Sequence, residues 1–132
     1  MKKVWSGDVV EHESDFLSWH GFKSYPLPAQ KPGIPIVIGG KAGKIFERIA
    51  KYGDGWFLPP SSPDELSGML DKLREACAAE GRNFDDIELT TLWSPEDGAD
   101  SIKALTDMGI SRAVIMGGGI DAIRAVADAH IR

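Results

Sequence analysis

The chain has 132 residues, 42% of them hydrophobic and 27% charged, proportions that suit one folded domain and exclude a disordered segment. A net charge of −5, with lysines and arginines scattered along the sequence, argues against a nucleic-acid partner. The longest apolar stretches fall far short of the roughly 20 residues of a membrane-spanning helix, and the opening MKKVWSGDVVEHE has basic residues with no apolar run after them, so the expected location is cytoplasmic.

Residues 1–34 are rich in aromatics and prolines, as in FLSWHGFKSYPLPAQKPG, and read as an irregular segment that packs on a barrel end or on a partner. From residue 35 one alternation repeats, in which an apolar β-favouring run is followed by a turn and then by apolar residues at helical spacing. The first strand, PIVIGG, is almost continuously apolar, as suits a parallel strand buried on both faces. The helix after it, KAGKIFERIAKYG, puts Ile45, Phe46, Ile49 and Ala50 on one face, with Gly53 as its C′ stop.

The second unit joins the strand GWFLP to the helix SSPDELSGMLDKLREACAAEG. Ser62 caps it, Pro63 takes N1, Glu65 closes a capping box, and Leu66, Met69, Leu70 and Leu73 form the apolar stripe before Gly81. Cys77, the only cysteine, lies in this helix; it excludes an internal disulfide and a cysteine-rich metal site, and reads as a buried, inert thiol. The third unit pairs IELTTLW with DGADSIKALTDMG, turning Ile102, Leu105 and Met108 inward and ending at Gly109. The fourth pairs RAVIMGG with IDAIRAVADAHIR, whose Ile120, Ile123, Ala127 and Ile131 share a face.

Residues 35–132 therefore form four βα units of an α/β fold, either an open sheet or half of an eight-stranded barrel. A complete barrel takes about 250 residues, so a lone closed barrel is excluded.

The candidate site lies where the first strand ends. Gly39 and Gly40 lack Cβ atoms and let backbone N–H groups approach an anion, while the following helix directs its positive N-terminal end to the same place. Lys41 adds a charge, and Ala42 and Gly43 are expected to donate from the helix start. On the motif alone, a tight βα turn with Lys41 in solvent is the commoner reading. Trp56 reads as core rather than as a ring facing a ligand. The glycines of MGGG, residues 116–119, offer a second nest of N–H groups, with a flexible turn as the commoner outcome. His12, His20 and His130 lack metal-ligand spacing, and Asp64, Glu65, Asp71 and Glu75 read as solvated helix faces balanced by Lys72 and Arg74. No metal ligand and no catalytic acid or base is assigned.

The stretch PIVIGGKAGKIFERIAKYGDGWF, followed by SPDELSGMLDKLREACAAEGR and IEL, resembles the luciferase-like monooxygenase family. The most specific parts are the strand ending in Gly39-Gly40 and the Asp54-Gly55-Trp56 step, and VWSGDVVEHESDFLSW with PLPAQKPG resembles that family's mid-barrel insertion. The resemblance implies a (β/α)8 TIM barrel that binds FMN or the deazaflavin F420, of which this chain corresponds to the C-terminal half. It further implies that the Gly-Gly turn lies against the cofactor's phosphate, making Gly39, Gly40, Lys41, Ala42 and Gly43 the cofactor-binding residues. Much of the substrate pocket would come from the other half, so no catalytic residue is carried over and the half alone is expected to be inactive as an oxidoreductase. A half-barrel leaves two strand edges unpaired, which points to a homodimer or a complementing half-barrel chain. The alternative is a non-enzymatic subunit or remnant that acts through association; an open phosphate-binding α/β domain is a third possibility.

Overall fold

The structure, a computed structural model, describes residues 1–130. It divides into two compact units, Met1–Pro35 and Ile36 onward.

The first unit contains a short 3-10 turn, Val4–Ser6, and an antiparallel hairpin of β1 (Val10–Glu13) and β2 (Ser18–Phe22). The sequence reading expected an irregular segment here. The hairpin lacks the apolar alternation of a half-buried strand, and almost all of its residues are exposed. Cross-strand pairing and aromatic contact hold it instead: His12 lies opposite Trp19, their rings 5.8 Å apart, and along β2 Trp19 meets Phe22 edge-on at 5.3 Å. At the turn the Ser14 hydroxyl donates to the Leu17 carbonyl and accepts from the Leu17 N–H.

The second unit is an α/β fold of four βα units, the arrangement of half a (β/α)8 barrel. Its strands are β3 (Val37–Gly39), β4 (Gly55–Phe57), β5 (Glu88–Trp93) and β6 (Arg112–Ile115), all parallel and in chain order across the sheet. They alternate with α1 (Ile45–Tyr52), α2 (Pro63–Ala79), α3 (Ala99–Asp107) and α4 (Ile120–His130). The parallel register aligns Ile38, Trp56 and Leu89 in one row, and this row meets the helices. Ile45, Ile49 and Ala50 of α1 and Leu66, Met69, Leu70, Leu73 and Cys77 of α2 close over it. The apolar stripes expected on both helices are thus the core faces, with Phe46 partly buried against Trp56.

The α1 C terminus shows why Asp54-Gly55-Trp56 is a step rather than a free turn. Asp54 N–H and Gly55 N–H both donate to the Ile36 carbonyl, at 2.7 and 3.2 Å, and the Asp54 carboxylate accepts from Ile36 N–H at 2.9 Å. Arg82 follows the end of α2 and turns its guanidinium onto the last carbonyls of α1, those of Ile49, Ala50 and Gly53, with Asp54 4.0 Å away. A cation over orphan helix carbonyls satisfies them and complements the helix dipole. Gly53 is extended, φ −80° and ψ 147°, not the left-handed C′ stop the sequence suggested. Its role is steric: a Cβ there would lie 3.1 to 3.2 Å from Ile49 O, Ile49 Cα and Ile38 Cδ1.

The fourth unit departs from expectation. All four β6 residues are exposed, as are Ile120 and Ile123, whereas Ala127 is partly buried; Ile131 lies outside the described residues. A helix in a βα array covers its own strand and the next, and β6 is the edge of this sheet.

Two glycine substitutions separate these roles. Gly68 sits mid-α2 with open space where a Cβ would go, so Gly68→Ala is expected to stabilise by about 0.5–1 kcal/mol. Gly53→Ala must displace backbone and is expected to destabilise by about 1–3 kcal/mol. Urea denaturation measures both, with an unchanged slope if only stability moves.

Candidate functional site

The site is built at the C-terminal end of β3. Gly39 ends the strand, Gly40 follows with φ +115°, and residues 41–44 form a bent loop in which Gly43 has φ +64°. These two left-handed turns delay α1 until Ile45, four residues later than the sequence pattern suggested. Ala42 and Gly43 are therefore loop residues rather than members of a first helical turn. Among the described residues, no hydrogen bond occupies the backbone N–H groups of Lys41, Ala42 or Gly43. They remain available to an acceptor beside the α1 N terminus.

The loop is held from below. Trp56 is fully buried and its indole N–H donates to the Gly40 carbonyl at 2.9 Å. Phe46 packs edge-on against the same indole, ring centroids 5.4 Å apart at 85°. Trp56 is core, as the sequence reading had it, but its hydrogen bond also orients the Gly40-Lys41 peptide. That second role was not legible, because nothing in the spacing of residues 40 and 56 links an indole to a carbonyl.

Gly39 tests whether the loop fits a phosphate. Gly40 and Gly43 are glycines because of their positive φ, whereas Gly39 is not in the left-handed region. A Cβ on Gly39 would meet Phe57 at 3.9 Å, an ordinary contact. Neither backbone nor packing within the chain demands glycine there, and close approach by a ligand supplies a reason. The loop thus leaves room for the close approach that a phosphate group needs.

Lys41 is placed differently from the solvent-exposed charge the motif suggests. Its ammonium donates to the Glu65 carboxylate at 2.8 Å, each side chain about half exposed. Glu65 was read as half of a capping box on a solvated face. The structure keeps the Ser62 cap, whose hydroxyl accepts from Glu65 N–H at 3.3 Å, and directs the Glu65 carboxylate to Lys41. The hydrogen bond and charge of Lys41 hold the Glu65 carboxyl below the usual carboxylate range. Asp71 pairs with Arg74 at 2.8 Å, in keeping with a balanced surface.

The remaining candidates lie on other elements. Gly117 and Gly118 adopt positive φ in the turn before α4, on a separate loop. His12 and His20 lie in the hairpin, His20 facing Glu11 at 3.7 Å. Cys77 is buried in α2, where burial pushes its thiol up and opposes thiolate chemistry. A cavity of about 380 Å³ between the β4–α2 loop and α3 is lined by Pro59, Leu66, Trp93 and Met108. One of about 540 Å³ opens at the opposite end of β5, beside Arg74, Phe84 and Glu88. Neither of these two cavities includes residues 39–43.

Comparison with known proteins places this geometry in context. The chain matches the luciferase-like monooxygenase family over residues 1–130. An F420-dependent glucose-6-phosphate dehydrogenase from Mycolicibacterium gilvum is 29% identical over 90 residues, 67% of this chain and 26% of that enzyme. The coenzyme F420-dependent tetrahydromethanopterin reductase from Methanopyrus kandleri shares the fold with a TM-score of 0.82 at 13% identity, over 99% of this chain and 60% of that one. An F420-dependent secondary alcohol dehydrogenase, solved with an F420-acetone adduct, gives 0.73 at 13% identity over 86% and 52%. The chain thus spans about a quarter of that curated relative and little more than half of these solved chains.

The Glu65–Lys41 pair has a pH signature. Because the folded-state pKa of Glu65 is lowered, its stabilising contribution is present above the unfolded pKa and is lost as pH falls through the folded one. Carboxyl shifts of Glu65 followed by NMR from neutral to acid pH should show a midpoint below the unperturbed glutamate value. A midpoint at that value would mean the pair is absent in solution.

Proposed function

The chain belongs to the luciferase-like monooxygenase family, and on that premise we propose that it is the C-terminal half of an FMN- or F420-dependent oxidoreductase barrel that retains the phosphate end of the cofactor site. The observation that carries this reading is the loop of residues 39–43: N–H groups at 41–43 with no hydrogen bond among the described residues, a carbonyl pinned by Trp56, and a glycine at 39 that no contact among those residues requires. Gly39 and Gly40 give the phosphate close approach, Ala42 and Gly43 donate N–H groups, and Lys41 supplies charge once released from Glu65. The cofactor, when bound, supplies the redox chemistry. The names of the relatives favour F420 over FMN.

This half supplies binding and orientation, and the groups around the reacting ring come from elsewhere. We therefore propose that it is inactive alone and works as a homodimer or with a complementing half-barrel chain. The supporting observations are the unpaired edges of β3 and β6 and the exposed valines of the face turned from the helices, Val37 and Val114. The same exposed surfaces favour a second reading, a non-enzymatic half-barrel subunit that associates without cofactor.

Fluorescence titration with FMN and F420 separates the two. Saturable binding that Gly39→Asp abolishes, with the circular dichroism spectrum retained, supports the cradle; absence of binding to either cofactor favours the associating subunit. Light scattering on the purified chain is expected to give twice the monomer mass, and a monomer that stays soluble at high concentration contradicts the homodimer.

A further inference from the structure

We propose that Glu65 is a built-in competitor at the cradle: its carboxylate holds Lys41 in the free protein, and an incoming phosphate group displaces it. The inference rests on the cradle reading above and concerns how that site is controlled.

The geometry is specific. Lys41 follows Gly40 directly and belongs to the β3–α1 loop, whereas Glu65 lies in the first turn of α2, so their 2.8 Å contact clips two neighbouring loops together at the same end of the sheet. The carboxylate satisfies the lysine that follows the glycines, a lysine on the same loop as the N–H groups of residues 41–43. An anion arriving there meets both an occupied lysine and a like charge. The pair is nonetheless replaceable: with side-chain exposures of 49% and 47%, it is a solvent-screened bridge of the weak kind. A phosphate group that also accepts from the loop N–H groups is anchored by several bonds at once, which one exposed carboxylate is not.

Lys41 is the main partner of the Glu65 carboxylate, ahead of the weaker backbone contact from Ser62. The α2 cap is made by the Ser62 hydroxyl with the Glu65 backbone N–H, and a glutamine at 65 keeps that N–H. Displacement of the carboxylate leaves its charge near the first turn of α2, where the helix dipole still favours it. The exchange therefore moves a salt bridge without unfolding either loop.

The test is the affinity of FMN and of F420 for four proteins: wild type, Glu65→Gln, Lys41→Gln and the double variant, each checked for fold by circular dichroism. Glu65→Gln is expected to bind about two- to fivefold more tightly at low ionic strength, the range an exposed bridge commands. That gain should shrink at high salt and disappear when Lys41 is also glutamine. Inorganic phosphate should compete with the cofactor more effectively on Glu65→Gln than on wild type. If wild type binds and Glu65→Gln binds equally or more weakly, the competitor role is overturned while the cradle stands. A gain that persists in the double variant overturns the exchange, since it would reflect loss of negative charge alone. Failure of wild type and Glu65→Gln alike to bind, with the fold intact, overturns both the competitor and the cradle.

Discussion

A buried indole must find an acceptor for its N–H, and in this protein Trp56 finds the carbonyl of Gly40. Leaving such a donor unpaired costs about 1–3 kcal/mol, against a net gain of about 1 kcal/mol when the bond is made. The bond therefore sets the peptide orientation at the end of β3 as firmly as the core sets the position of β4. The positive φ of Gly40 and the delayed start of α1 belong to the same local arrangement. Among the described residues, the N–H groups of residues 41–43 make no hydrogen bond in the loop that precedes α1.

A second constraint works at the opposite end of β3 and β4. Asp54 bridges to Ile36, and Arg82 gathers the terminal carbonyls of α1 while lying close to Asp54. The two ends have different purposes. One has its polar groups satisfied internally and is closed by side chains; the other leaves donors unused beside glycines. That asymmetry follows the general division of parallel α/β arrays, in which stability is built at the N-terminal ends of the strands and ligands are met at the C-terminal ends.

The sequence carried the architecture well wherever periodicity is a local property. The stripes of α1 and α2 emerged as the core because residues at helical spacing share a face whatever the tertiary context. The hairpin of residues 10–22 was missed because its strands are short and polar and meet through the His12–Trp19 pair, a feature that single-strand alternation does not record. At the site, the glycines could be named as a phosphate motif, but the partner of Lys41 could not. Glu65 lies 24 residues further along the chain, and only the fold brings it to the lysine. The same holds for Arg82, whose role as a cap for another helix has no signature in its own surroundings.

The central claim is that residues 39–43 form a phosphate cradle held open by Trp56. Its most direct test is a two-dimensional amide NMR titration of the chain with F420 and with FMN. The account predicts that the largest shifts fall on the N–H groups of Lys41, Ala42 and Gly43, with the Trp56 indole N–H responding as its acceptor is perturbed. Shifts confined to the cavity beside Trp93 and Met108, or a folded protein whose loop amides do not move, would contradict it.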